Sequence, residues 1–187
     1  MTAIVGIQGK YGAVLASDSF TIYGDRAYQA KSIAKIVEKS GYTFAFAGDG
    51  TVADIAKHLW IMPKYVKTMD LDDFVMARIL GSLREACKSH GYEPDDDKDS
   101  GWDALICING IIYQLDQSFG YLQSDNGLYA IGSGGATALG AMEALITGKE
   151  TLKTAESIAV RAIEISTKYN INVGGDIQSF SQKAKQI

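Results

Sequence analysis

Short apolar runs, separated by polar and glycine-bearing turn signals, mark the first fifty residues as strands. TAIVGIQ is followed by GAVLASDS across a Lys-Tyr-Gly turn, and KIVEK by YTFAFAG across Ser40-Gly41, so two successive hairpins are expected. At Gly48-Asp49-Gly50-Thr51 the period becomes helical. Val52, Ile55, Ala56, Leu59 and Trp60 form one apolar stripe, which stops where Pro63 removes a backbone donor. A second helix, capped by Asp72 or Asp73, would carry Phe74, Val75, Ile79, Leu80, Leu83 and Cys87 and end near His90-Gly91. After an acidic connector at 93–101, WDALICING and GIIYQLD read as a hairpin turning at Asn109-Gly110. LYAIGSGGATALGAMEAL again runs a strand into a helix through glycines, with Ala138, Met142 and Leu145 on the apolar face. A last helix is expected from Thr154 to Lys168, and a closing strand over 171–180. Strands, two helices, strands, two helices, strand: this order suits sheets layered between helices better than a parallel βαβ sheet.

Composition narrows the class. A chain of 187 residues and 20.1 kDa is expected to form a single domain over 1–187. With 47% hydrophobic and 21% charged residues it can bury one core, which sets aside disorder and coiled coil. A net charge of −4, with no dense Lys/Arg block, argues against nucleic acid and anionic membranes as partners. No apolar run approaches the ~20 residues of a spanning helix, and the N-terminal apolar patch lacks the basic flank of a secretory signal. Cys87 and Cys107 are the only cysteines and form no Cys-x-x-Cys pair, which points to a reducing, cytoplasmic compartment.

Several motifs have plain structural explanations. Gly48-x-Gly50-x-x-Ala53 matches a dinucleotide fingerprint in form, but a second helix follows where the parallel strand of a βαβ unit belongs, so close-packing glycines at a tight turn explain it better. Gly132-Ser133-Gly134-Gly135 lacks both the lysine of a phosphate loop and the upstream glycine of a hydrolase elbow. His58 and His90 have no partner at metal-ligand spacing, and Asp95, Asp96, Asp97 and Asp99 lack the glycine and terminal glutamate of a calcium loop. No metal and no cofactor are expected.

Thr2 is chemically distinctive. Met is removed when the next side chain is small, and an exposed N-terminal threonine holds a hydroxyl nucleophile and an amine base in one residue. The amine's reference pKa of about 7.7–8.0 lets it accept the hydroxyl proton near neutral pH. Taken alone, Thr2 needs no explanation beyond a strand that starts there.

Its context is more informative. TAIVGI, LASDS, AKIVEK, FAFAGDG and YAIGSGG occur in order, with helices between them. In this the chain resembles, over nearly its whole length, the proteasome β-subunits and the HslV-type peptidases, which are N-terminal nucleophile hydrolases. The resemblance implies an α+β fold, a four-layer αββα sandwich, in agreement with the element order. It also implies a threonine peptidase subunit of a self-compartmentalising ring, acting on peptides or unfolded proteins, with a homo-oligomeric ring and an ATPase unfoldase as partners.

Carried over by position, Thr2 would be the nucleophile and Asp18 would orient a lysine. Lys35 fits the Lys-Ile-Val-Glu pattern but lies one residue beyond the ungapped spacing, which falls on Ala34. One extra residue between Gly24 and Lys35, offset by the short Ser40-Gly41 turn, accommodates it, and Lys31 is the alternative. A buried ammonium there would lower the pKa of the hydroxyl, and Asp18 would offset its desolvation. Gly48 would give its N–H to the oxyanion, and Phe46, with Ala47 and Asp49, would line the substrate pocket. Ser133 would bond the terminal amine. Asn170 stands where the family usually has an aspartate supporting that serine, and Val173 replaces a second serine. Two other readings stay open: a catalytically silent ring or shell subunit that keeps Met1, and an N-terminal nucleophile amidase or transpeptidase.

Overall fold

Side chains that alternate between two environments along β1 (Ile4–Gly9) and β2 (Gly12–Ser17) set the architecture. Val5, Ile7, Val14 and Ala16 face one apolar cluster, whereas Ile4, Ala13 and Leu15 face another. In the computed structural model, which describes residues 2–23, 26–29, 34–92 and 101–185, these strands form the middle of an antiparallel sheet ordered β10-β1-β2-β11. Its outer strands are β10 (Leu128–Ile131) and β11 (Gln178–Lys183). A second antiparallel sheet is ordered β5-β6-β7-β8-β9, from β5 (Ile36–Lys39), β6 (Tyr42–Gly48), β7 (Trp102–Ile108), β8 (Ile111–Asp116) and β9 (Tyr121–Leu122). A separate ribbon pairs β3 (Phe20–Tyr23) with β4 (Arg26–Gln29).

Three apolar layers hold four structural layers together. Ile4, Leu15, Ala45, Leu105, Ile112 and Tyr129 fill the space between the two sheets. The outer face of the first sheet is covered by α4 (Gly135–Leu145) and α5 (Leu152–Tyr169), where Ala155, Ala159 and Ala162 let the long helix approach closely. The outer face of the second sheet, with Phe44, Phe46, Trp102 and Tyr113, meets two other helices. One is α1 (Gly50–Asp54), extended by a π-helical turn (Ile55–Leu59). The other runs from α2 (Leu71–Phe74) through a π segment (Val75–Leu80) into α3 (Gly81–Ser89). The expected αββα sandwich is what forms.

Local chemistry explains the boundaries. Ser40 and Gly41 have φ of 56° and 81°, and Asn109 and Gly110 have 55° and 84°. This is the left-handed backbone that two-residue hairpin turns require. Some expectations need correction. Asp70, not Asp72 or Asp73, caps α2, accepting from the Asp72 and Asp73 amides. Leu59 and Leu145 are exposed, because the π turn and the end of α4 rotate them off their buried faces. The closing strand begins at Gln178, not 171, because the preceding glycines are used at the site described next.

Candidate active site

The β ladders bring the site together. Ile4 pairs with Ser17 on one side and Ile131 on the other, so the residues just beyond them emerge at one end of the first sheet: Thr2, Asp18 and Gly132–Gly134. Thr2 is buried. Its N–H donates to Ser133 Oγ at 3.3 Å, and its carbonyl accepts from the Gly134 N–H at 3.0 Å. Gly132 has φ of +83°, and a Cβ there would run into the Thr2 carbonyl, so both the conformation and the close approach require glycine. A Cβ on Gly134 would lie 2.6 Å from Val173 Cγ2 and 2.8 Å from Ala3 Cβ.

Asp18 has no solvent exposure, and its carboxylate is held from several sides. Oδ1 accepts from Lys35 Nζ at 2.6 Å and from the Ala3 amide at 2.9 Å; Oδ2 accepts from the Gly174 amide at 3.1 Å and the Phe20 amide at 3.2 Å. Hydrogen bonds to the ionised form on both oxygens are what a buried carboxylate needs. Lys35 directly precedes β5 and is itself buried. Burial pushes its ammonium pKa below the usual lysine value, and the Coulombic and hydrogen-bond pull of Asp18 acts against that shift. Thr2, Asp18, Lys35 and Ser133 therefore lie in one cluster. Ala34, the ungapped alternative, is half-buried beside it, while Lys31 and Met1 lie outside the described residues.

Asn170 follows the end of α5 and reaches the site from below Ser133. Its Nδ2 donates to the Ser133 carbonyl at 2.9 Å, and its Oδ1 accepts from the Asn172 amide at 3.0 Å. Val173 is buried against Gly134. Gly48 is exposed at the end of β6, three residues beyond Ala45, which pairs with Ile36 next to Lys35. Phe46 turns toward the helical layer, with its ring centroid 5.8 Å from Phe44 and 5.6 Å from Trp102. Ala47 faces the space between the sheets. The Asp49 carboxylate caps α1 by accepting from the Thr51 amide at 2.8 Å.

Two supports were not visible in the sequence. Gly174 gives its N–H to Asp18, and its carbonyl accepts from the Ser19 and Phe20 amides at 3.1 and 3.0 Å. Ser166, fully buried in α5, donates to the Gly134 carbonyl at 2.9 Å. The only signal for Gly174 was the Gly174-Gly175 pair, which also reads as a strand end. Among the described residues, no group of three or more His, Cys, Asp or Glu side chains could hold a metal ion, and no helix is long and apolar enough to cross a membrane. The groups at the site are of the kinds that proton transfer and acyl chemistry use: a threonine hydroxyl, a serine hydroxyl beside its main-chain nitrogen, and a paired ammonium.

No family model matches the sequence. A proteasome subunit beta from Nanoarchaeum equitans is 30% identical over 194 residues, covering 100% of this chain and 95% of that one. Among solved structures, BPH from Thiobacillus denitrificans in complex with epoxomicin superposes with a TM-score of 0.78 at 23% identity, covering 98% and 100% of the two chains. Eukaryotic HslV from Trypanosoma brucei gives 0.66 at 20% identity, covering 97% and 99%. These two structures speak for the fold, and the end-to-end sequence match speaks for the lineage: the chain belongs to the proteasome β-subunit family of N-terminal nucleophile hydrolases.

Proposed function

We propose that the chain is a threonine-type endopeptidase subunit that hydrolyses peptide bonds in peptides or unfolded proteins with Thr2, once Met1 is removed. The observation that carries this reading is the placement of Thr2 N against Ser133 Oγ, beside the buried Lys35–Asp18 pair. Removal of Met1 turns that nitrogen into an amine, which takes the Thr2 hydroxyl proton as the oxygen attacks the acyl carbon. The Lys35 ammonium favours the developing alkoxide, and the Gly48 N–H stabilises the oxyanion. Collapse breaks the C–N bond, and the proton passes from the amine to the leaving nitrogen. Water cleaves the resulting ester by giving one proton to the same amine as its oxygen adds to the acyl carbon; the C–Oγ bond then breaks and the amine returns that proton to Thr2 Oγ. Ser133 holds the amine in place, and Asn170 holds Ser133.

The family relationship supports a homo-oligomeric ring, with an ATPase unfoldase as the feeding partner. Two buried, unpaired cysteines fit a reducing cytoplasm. A catalytically silent subunit is the second reading, favoured by Asn170 in place of the family aspartate and Val173 in place of a serine. Turnover of a fluorogenic peptide panel separates the readings. The peptidase is expected to cleave several unrelated peptides, and Thr2→Ala is expected to abolish turnover while melting like the parent. Equal activity in Thr2→Ala removes Thr2 as the nucleophile, and cleavage of a single acyl substrate favours an amidase.

A further inference from the structure

Lys39 ends β5, four residues after Lys35, and its ammonium points into the helical layer. Nζ donates to three main-chain carbonyls: Trp60 at 2.6 Å, Lys57 at 3.1 Å and Ala56 at 3.3 Å. These carbonyls belong to the end of the π turn that extends α1, a turn also closed by the Trp60 N–H on the Ile55 carbonyl at 2.7 Å. A helix ends in carbonyls without intrahelical partners and in the negative pole of its dipole, so a single cation satisfies both. Here the cation comes from a neighbouring strand. Partial burial lowers the pKa of Lys39 below the usual lysine value.

Two parts of the site flank this contact along the chain. β5 pairs with β6 and begins directly after Lys35, and α1 begins at Gly50, two residues after Gly48. From Lys39 the chain turns at Ser40-Gly41, follows β6 to Gly48, passes through α1 and its π turn, and returns to Lys39 at Trp60. The ammonium closes that circuit. We propose that Lys39 is a positioning residue: by fastening the last turn of the α1 helix to the end of β5, it holds Gly48 in register with Lys35. The catalytic side of this inference rests on the peptidase reading; the mechanical side does not.

Hydrogen exchange by mass spectrometry on the full protein, together with peptide turnover normalised to the fraction that reacts with epoxomicin, tests it in Lys39→Met and Lys39→Arg. Lys39→Met is expected to speed amide exchange at least about tenfold both in 35–39 and in 48–60, leaving β1 and β2 unchanged. Normalised kcat is expected to fall about tenfold with KM within about twofold, because a small misplacement costs rate more than binding. Lys39→Arg should restore most of both. Faster exchange confined to 56–60, or an unchanged normalised kcat in an active enzyme, makes Lys39 a helix cap only and overturns the proposal. If the parent protein neither turns over peptide nor reacts with epoxomicin, the peptidase reading fails, and the exchange pattern alone decides whether Lys39 couples the two segments. Should Lys39→Met fail to fold, Lys39→Gln keeps two donors without the charge and carries the same test.

Discussion

Asp18 and Lys35 show how a single buried pair can be both costly and necessary. The ammonium has left water, and its partner carboxylate is completely enclosed. Removing one member strands the other, so Asp18→Asn is expected to cost about 3–5 kcal/mol in denaturant unfolding and to suppress peptide turnover. A loss of turnover with unchanged stability would mean that the pair is not buried as described. Asn170 poses the opposite question, since a family aspartate would restore charge. Its amide, however, donates to the Ser133 carbonyl, and an ionised carboxylate has no proton to give. Asn170→Asp is therefore expected to lower kcat and to cost about 1 kcal/mol of stability. A faster enzyme would show that charge, not the Ser133 contact, is what this position supplies.

At the scale of elements, the site is a place where strand ends meet glycines that cannot be replaced. Gly132→Ala puts a methyl group against the Thr2 carbonyl at a backbone angle that alanine rarely adopts, so it should destabilise the fold by more than about 1 kcal/mol and slow epoxomicin modification. Equal modification rates would mean that the β10–α4 junction does not fix Thr2. Much of this was legible in the sequence where local chemistry dominates. Ser40-Gly41 and Asn109-Gly110 announce their hairpins, and short apolar runs between turn signals mark β1, β2 and β6 as strands. Thr2, Asp18 and Ser133 come from the family resemblance, carried by short motifs that end strands; no local pattern marks any of the three on its own. The β3–β4 ribbon was not found, since Gly24, Asp25 and Arg26 break the apolar alternation there. Gly174 was hidden for another reason: its bond to Asp18 spans 156 positions, and no local pattern marks so distant a partner. The closing strand was placed too early because 171–177 has strand-like composition yet spends its glycines on Asp18, Ser19 and Phe20. Spacing alone leaves the lysine register open, and the structure adds the contact of Lys35 Nζ with Asp18 Oδ1, a partner 17 positions away that no local pattern marks.

Across the whole molecule, the three apolar layers make stability depend on pH in a definite direction. Cys87 lies in the layer between the second sheet and its helices, and Cys107 between the sheets. Burial pushes their thiols up to about 11 and about 12, from an ordinary value of 9.0. Below about pH 9 both folded and unfolded chains keep these protons and nothing is lost. Above it the unfolded chain releases them first, so stability falls as pH rises through the window up to the folded values. Cys107→Ala should make that alkaline slope shallower, by up to about 1.4 kcal/mol per pH unit; an unchanged slope would show that the thiol is not shielded. The same frame places Thr2 against Ser133 and Asp18 against Lys35, ready to present an N-terminal threonine once Met1 is gone. Intact mass of the purified protein, before and after epoxomicin, reads out whether it does. A chain lacking Met1 that gains one inhibitor per subunit is expected, with no gain in Thr2→Ala. A chain that keeps Met1 and gains nothing would contradict the peptidase reading.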